Sequence, residues 1–568
     1  MKYCDVQELK ASERVGKWWE NVDKKKEKKW KTLQHNGVYF PPLYESLPSN
    51  VKILYKGKPT KLDGKNTKNK FNISAEEAAV FFSQMIDRDE RLKSNKKRAR
   101  YSEDPVFIKN FWKDWKEILG KNSEIKNFKD VNFSPLVKYL YESSENKKKA
   151  KKATSKEEKV IEKEQKEAIK KIYGYAIVDG IKIPMDYAVE IPGLYQGHGN
   201  HPLRGAIKKR LEPSDITLNI SKKNIPKCFI HGKPCKWGFI VEDPEVTWLA
   251  SWKNPITGES TYKGLKRIES HFVCGEDIEK FNKARKLDQN IEKIRKKYKK
   301  DLNSSQQDVK QLATAVYLLD ELAIRPGTEK DESKEAGTLG LTTLKCNNVK
   351  FEGSDKITID FTGKSSIRFT KNFKVNSAVY KNLQTSCSGK KNGKLFPKIN
   401  ATSLNGYLKT LLPGLTAKVF RTWKASSILQ KQLEKNVPKM DDLDHEKKIL
   451  YDKVNIEVAL ALNHKRMADS DVRVEKIENK IKELKQKKKT VNTDKQKATV
   501  QKSIDLQEMK LIEAKENISL STSKVNYLDP RITVSWCKKG DTPIEKIYNK
   551  TQLKKFVWAM STDPKWKF

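Results

Sequence analysis

Five residues of this 568-residue chain have the types and the wide separation that phosphoryl transfer to a side chain requires: Arg325, Lys364, Arg421, His464 and Tyr527. Any one of the 19 tyrosines is more often a packed ring than a nucleophile. Tyr527 stands out because it lies just before Asp529-Pro530, where Asp can cap a helix and Pro can take its first position. A phenol with an ordinary pKa of about 10 can attack phosphorus and later leave, so the covalent step is reversible. Guanidinium forks neutralise non-bridging oxygens bidentately, the role open to Arg325 and Arg421. His464 can add one hydrogen bond to such an oxygen. The departing 5′ oxygen needs a proton, and Lys364, in a cationic pocket that lowers its pKa, is the natural acid. Each donor is worth about 3 kcal/mol, as for single oxyanion-hole groups. The scheme demands no cofactor, neither metal nor ATP, because the phosphodiester energy is kept in the tyrosyl ester.

The elements that must position these groups can be read from pattern. Gln306–Ala323 is helical, with Leu312, Ala315, Val316, Leu319 and Leu322 on one face, and it stops at Ile324-Arg325-Pro326-Gly327. There Arg325 is placed either to grip a phosphate or to cap the helix. Lys356–Thr370 alternates as a hairpin with Lys364 at its tip. Gly363-Lys364-Ser365 is not a nucleotide loop, because Thr358 stands where a Gly is needed and a strand follows. A helix begins at Leu415–Ser426, and another, Asn455–Arg466, carries His464 near its end. Between Lys465 and Ser519 there is no Pro or Gly. The stripes Ile477, Ile481, Leu484 and Val500, Ile504, Leu511, split by Thr490–Lys495, read as an antiparallel two-helix coiled coil. The last residues are helical, with Thr542-Pro-Ile-Glu545 as a capping box.

Upstream, Ala75–Arg91 and Val106–Leu119 are helical, and 144–172 is a charged helix that is either a solvated face or a DNA contact. Ile191–Pro202 is a glycine-rich loop able to bring backbone N–H groups near phosphates. The runs Ile216–Ile220, Phe239–Val241 and Val246–Trp252 suggest a mixed sheet domain ending near residue 270. Cys228-x2-His231-x3-Cys235 with His271-x2-Cys274 superficially resembles zinc-ligand spacing. The first group is a triplet and the second pair is distant, so thiols and imidazoles on a basic surface are the preferred reading.

Bulk composition sets the partner class. Lys plus Arg is 117 against 73 Asp plus Glu, a net charge of +44, which predicts an anionic polymer as partner. Twelve Trp and 9% aromatics argue for folded domains. No apolar run is long enough for a membrane span, and no signal peptide is seen. Seven scattered cysteines fit a reducing compartment. The runs Lys24–Lys31 and Lys93–Arg100 favour a nuclear location.

Six stretches together resemble the eukaryotic type IB DNA topoisomerases, from about Trp18 to Phe568. They are Ser521–Tyr527 with Leu528–Val534, Pro543–Gln552, Ala417–Thr422, Asn463-His464, Gly363–Arg368 and Gly199–Pro202. The resemblance implies an α+β, multi-domain, two-lobed DNA clamp with a mostly helical catalytic lobe and a mixed α/β cap lobe. Its divisions would be a flank 1–27, a cap lobe 28–270, a catalytic core 271–465, a coiled-coil linker 466–517 and a C-terminal domain 518–568. It also implies a 3′-phosphotyrosine intermediate, relaxation of both supercoil signs by controlled rotation, and the catalytic set Arg325, Lys364, Arg421, His464 and Tyr527. DNA contacts implied by the match are Gly327, Thr328, Glu329, Lys330, Thr338, Asn405, Thr416, Ala417, Lys418, Gln196, His198, Ser365 and Asn526. The partner is double-stranded DNA held by its backbone, and a monomer is expected.

The chain departs from the family pattern in places. The family's long basic N-terminal region is not seen, and the linker is short. Pro326 and Thr328 replace the usual Ala and Asn, Gln196 and His198 stand where arginines are usual, and Ser365 stands where Asp is usual. The last three border the site where camptothecin-type poisons stack in this family, so reduced drug sensitivity is expected although Asn526 is kept. One rival is a site-specific tyrosine recombinase, whose second basic motif Lys418-x-x-Arg421 echoes; the linker and the cap sequence argue against it. Another is a non-catalytic DNA clamp, against which the five-residue set speaks.

Overall fold

The computed structural model describes residues 28–64, 69–91, 101–153, 156–266, 271–390, 392–438, 442–466 and 470–568. The flank 1–27, half of the Lys24–Lys31 run and the Lys93–Arg100 run lie outside the described residues. Internal contacts divide the chain into two compact units, Met1–Phe272 with Glu332–Ala336, and Val273–Asp331 with Gly337–Phe568. Helices predominate and the sheets are small, a mixed helix-and-sheet fold of the α+β kind. Among the described residues no helix is long and apolar enough to cross a membrane.

In the first unit, α1 (Ala75–Arg91) and α2 (Pro105–Leu119) follow the apolar spacing read above. Asp104 starts α2 by accepting from the N–H groups of Val106 and Phe107, with Pro105 in the first turn. These helices bury Phe82, Phe107, Phe111 and Trp115, and the Phe82 and Phe111 rings stack at 4.5 Å. The charged stretch is helical as read above, over α3 (Ser134–Ala153) and α4 (Lys156–Tyr173). A four-stranded sheet, in the order Phe239–Val241, Thr217–Asn219, Trp248–Lys253, Ser260–Gly264, is mixed because its first two strands run parallel.

The second unit opens with α5 (His271–Asp301) and α6 (Gln307–Leu322). A three-stranded antiparallel sheet follows, Val349–Glu352, Lys356–Thr362 and Arg368–Lys374, in which Phe361 opposes Phe369. Then come α7 (Ser377–Cys387), α8 (Ala401–Leu411), α9 (Ala417–Lys435) and α10 (Asp444–Ala461). Helix α10 starts well before Asn455 because Tyr451 and Val454 supply buried contacts that its charged first turns conceal. It ends at Ala461, ahead of His464, because Asn463 takes a left-handed φ of 52°, a conformation Asn tolerates.

Helices α11 (Ser470–Thr490) and α12 (Asp494–Lys515) pack antiparallel, as the pairs Lys485–Glu508 and Lys515–Glu478 show. Ile481 of α11 and Val500, Ile504 and Met509 of α12 are buried. The open end of this helical hairpin is closed by backbone: Lys465 bridges Ile518, Arg466 N–H donates to Asn517 O, and Ser519 N–H donates to His464 O. Short helices α13 (Leu520–Asn526) and α14 (Pro530–Lys539) follow. The Thr542 capping box does not form. Pro543 precedes the next turn, Ile544–Ile547, and the Thr542 hydroxyl donates to Gly540 O instead.

Helix α9 joins two cores. Phe420 and Trp423 pack with α5, α6 and the three-stranded sheet. Ala425, Leu429 and Leu433 pack with Tyr451, Leu528, Ile532 and Trp536.

Candidate active site

The guanidinium of Arg421 is the centre of the constellation. It leaves the second turn of α9 and is buried, 5% exposed. Its Nη1 donates to Ala323 O at 2.6 Å and its Nη2 to Leu462 O at 3.1 Å. The ends of α6 and α10 are thereby tied to α9, since unpaired carbonyls at helix C-termini seek such donors. Ala323 caps α6 in the left-handed region.

Arg325 follows two residues later and is exposed. Its turn is fixed from below: Leu341 N–H donates to Arg325 O, and Thr342 N–H to Pro326 O. Gly327 has a φ of 82°, and a Cβ built on Gly340 would come within 2.5 Å of the Gly327 backbone. Both positions therefore need glycine, and the sharp turn that shows Arg325 to solvent depends on them.

Tyr527 ends α13. Its N–H donates to Ser523 O at 2.9 Å, and its own carbonyl accepts from the Ser426 hydroxyl of α9 at 3.1 Å. Asp529 caps α14 by accepting from Arg531 N–H, with Pro530 in the first turn as the sequence predicts. The Tyr527 ring stacks on the His464 imidazole at 5.0 Å and 27°, and the Arg421 guanidinium lies 5.1 Å from the ring centroid. Burial opposes ionisation of the phenol, but the charges of Arg421 and Arg325 outweigh it and hold the phenol below its ordinary value. Burial, and then the same two arginines, push His464 down to about 3, so the ring is neutral at physiological pH. Four of the five residues are thus brought together.

Lys364 is not joined to them. It is exposed in the loop between Thr362 and Arg368, where Ser365 and Ser366 have φ of 61° and 56°. The loop's base is attached to the histidine segment, since Asn463 Nδ2 donates to Arg368 O at 3.2 Å.

The other residues implied by the resemblance are spread over both units. Glu329 pairs with Lys394, while Thr328 and Lys330 are exposed beside it and Thr338 is half-buried. Asn405 is committed to the fold, because its Oδ1 accepts from Ala417 N–H at 3.0 Å and caps α9 in place of Thr416. Ala417 is buried and Lys418 exposed. Asn526 is exposed and donates to Thr522 O. In the first unit, Gln196 and His198 are exposed on the glycine-rich loop, where Gly197 and Gly199 take positive φ.

Cys228 and Cys235 face each other across a two-residue hairpin turned by His231-Gly232, their sulfurs 2.6 Å apart. Cys228 is buried instead of lying on the surface, and burial with the neighbouring thiol pushes it up. Among the described residues no group of three or more His, Cys, Asp or Glu side chains is arranged to hold a metal.

Sequence reasoning missed the residues that brace the site. Ser523 Oγ lies 2.7 Å from His464 Nδ1. Lys524, buried, pairs with Asp452 of α10 at 2.9 Å, and Lys448 joins the same carboxylate. Burial raises the Asp452 carboxyl, but the two ammonium groups outweigh that and hold it below its usual value. The helical offset of four residues between Ser523 and Tyr527 was the one available signal, since it puts both on one face.

Models of the eukaryotic DNA topoisomerase I DNA-binding fragment and catalytic core match residues 28–265 and 265–498, and a C-terminal topoisomerase domain matches 499–568. The chain is 40% identical to DNA topoisomerase 1 beta of Arabidopsis thaliana over 577 residues, covering 95% of this chain and 60% of that protein. It is 37% identical to DNA topoisomerase 1 of Homo sapiens over 570 residues, covering 94% and 71%. For DNA topoisomerase 1 of Drosophila melanogaster the identity is 37%, covering 96% and 56%. The matches define a chain built on the eukaryotic topoisomerase I core. The chain belongs to the eukaryotic DNA topoisomerase I family, and it spans about 60% of the length of the Arabidopsis relatives.

Proposed function

We propose that this chain relaxes supercoiled duplex DNA as a type IB topoisomerase, without ATP. The observation that carries the reading is Tyr527 stacked on neutral His464 beneath the Arg421 guanidinium, with its phenol held below the ordinary value. The Tyr527 oxygen bonds to phosphorus as the bond to the 5′ oxygen breaks. The phenolic proton passes to water, and Lys364 protonates the departing 5′ oxygen once DNA brings the hairpin to it. Arg325 and Arg421 hold the non-bridging oxygens, with His464 as a third donor. The 3′-phosphotyrosine keeps the bond energy while the free end rotates, and reversal of the same steps reseals the strand.

In this reading residues 28–270 form a cap lobe and 271–465 a catalytic core that close on duplex DNA as a two-lobed clamp. Residues 466–517 are a coiled-coil linker, and 518–568 bring in the nucleophile. Backbone contacts run through Gly327, Thr328, Glu329, Lys330, Thr338, Asn405, Thr416, Ala417 and Lys418. Gln196, His198, Ser365 and Asn526 border the break. The protein acts as a monomer in the nucleus, and the net charge of +44 makes binding steeply salt-dependent.

The test is relaxation of supercoiled plasmid in EDTA without ATP. Wild type should relax both supercoil signs, and Tyr527→Phe should be inert while still binding DNA. Wild type that binds but never nicks would mean a DNA clamp. Strand exchange confined to one DNA sequence would mean a recombinase.

A further inference from the structure

His464 is held at both ring nitrogens. Nδ1 lies 2.7 Å from Ser523 Oγ, and Nε2 lies 3.3 Å from Arg421 Nη2. Ser523, His464 and Arg421 are all buried. A guanidinium can only donate, so Nε2 accepts here and the ring proton sits on Nδ1, donated to Ser523 Oγ. A non-bridging phosphate oxygen can only accept. To serve it, Nε2 must carry the proton, and Nδ1 must then accept from its own partner. A carboxylate at Nδ1 could not make that reversal, because it only accepts, and a backbone N–H only donates. A hydroxyl does either by rotation.

We propose that Ser523 is a positioning residue whose hydroxyl reverses its hydrogen bond as His464 changes tautomer, from the Nδ1–H form, in which Nε2 accepts from Arg421, to the Nε2–H form, in which Nε2 donates to a phosphate oxygen. The ring then donates to the phosphate without turning over and without gaining charge. The Nδ1–H bond breaks and that proton goes to water, while Nε2 takes one proton from water, so the net change is zero. Arg421 Nη2, displaced from Nε2, is left free to donate to the same phosphate.

The placement of Ser523 couples this exchange to the nucleophile. Its carbonyl accepts from both Tyr527 N–H and Leu528 N–H, so one residue ends the helix that presents the phenol and orients the imidazole under it. Burial with two arginines nearby keeps the ring neutral, the state in which a tautomer exchange has meaning.

The inference rests on the function proposed above. It is tested by single-turnover cleavage of a suicide oligonucleotide, with Ser523→Ala made in wild type and in His464→Ala. Ser523→Ala should slow cleavage roughly 10- to 100-fold, as for other groups that orient a functional histidine. Ser523→Thr should restore the rate. In His464→Ala the second substitution should change nothing. A methylphosphonate replacing the acceptor oxygen should likewise abolish the Ser523→Ala effect, which a merely structural role would not produce. Should Ser523→Ala misfold, Ser523→Cys keeps the shape with a weak hydrogen-bonding group and should show the same dependence on His464. Equal slowing in both backgrounds, or no slowing in a folded variant, overturns the proposal while Tyr527-dependent cleavage by wild type leaves the function standing. If wild type forms no Tyr527-linked product, both fall.

Discussion

Removing the Arg421 charge should disable the phenol by an amount that can be worked from the structure. The guanidinium carbon is 5.1 Å from the Tyr527 ring centroid, and Arg421 is buried. A unit charge about 5 Å away at an effective dielectric of about 20 is worth about 3 kcal/mol, and it favours the ionised phenol. Tyr527 is half-buried, so solvent screens part of this. Arg421→Gln should therefore move the alkaline inflection of cleavage upward, toward the ordinary phenol value of about 10. Loss of a donor to the phosphate should slow cleavage by roughly 100- to 1,000-fold. The substitution also frees Ala323 O and Leu462 O, so melting is measured beside kinetics. Arg421→Lys, which keeps the charge and loses the fork, should leave the inflection nearly in place yet remain slow. The assay is covalent-complex formation in a single turnover across about pH 6 to 10. A Gln variant that melts like wild type, cleaves within about fivefold of it, and keeps its inflection would refute the electrostatic argument.

Lys364→Ala should slow cleavage of ordinary DNA, and a sulfur in place of the departing 5′ oxygen should restore the rate, because a thiolate leaves without an acid; failure of that rescue excludes Lys364 as the acid. Gly340→Ala should cost about 1–3 kcal/mol by forcing apart the Gly340 and Gly327 backbones, and should lower cleavage through Arg325; an unchanged melting curve would show the turn to be yielding. Asp452→Ala leaves buried Lys524 without its counter-charge and should cost about 3–5 kcal/mol in a urea melt. Because the folded Asp452 pKa is depressed, its contribution is full above about pH 4 and is lost as pH falls through the folded value; wild type should therefore lose more stability on acidification than the variant. With Gln196, His198 and Ser365 where the family has basic and acidic partners for camptothecin, low drug doses should trap less covalent complex than in an enzyme carrying those partners, and equal trapping would refute this.

Much of the architecture was legible because it repeats. The period of 3.6 marked Ala75–Arg91 to the residue, and alternation marked the Lys356–Thr370 ribbon. Local chemistry marked Asp529-Pro530 as a helix start. Errors arose where local signal and tertiary packing diverge. The first turns of α10 are charged and carry no clear stripe, although Tyr451 and Val454 are buried by other helices. Asn463 turns left-handed and stops that helix before His464, which periodicity alone does not reveal.

The residue types set the chemistry that is available. A tyrosine, two arginines and a histidine can pass a phosphoryl group whatever fold carries them, since charge, fork geometry and nucleophilicity belong to side chains. Their meeting is another matter. His464 and Tyr527 are separated by a 22-residue and a 21-residue helix, and they touch because backbone hydrogen bonds close the base of that hairpin. The lowered phenol, the neutral imidazole and the hydroxyl that holds it come from burial and from charges distant in sequence. Those are properties of a packed interior, and only the tertiary structure supplies one.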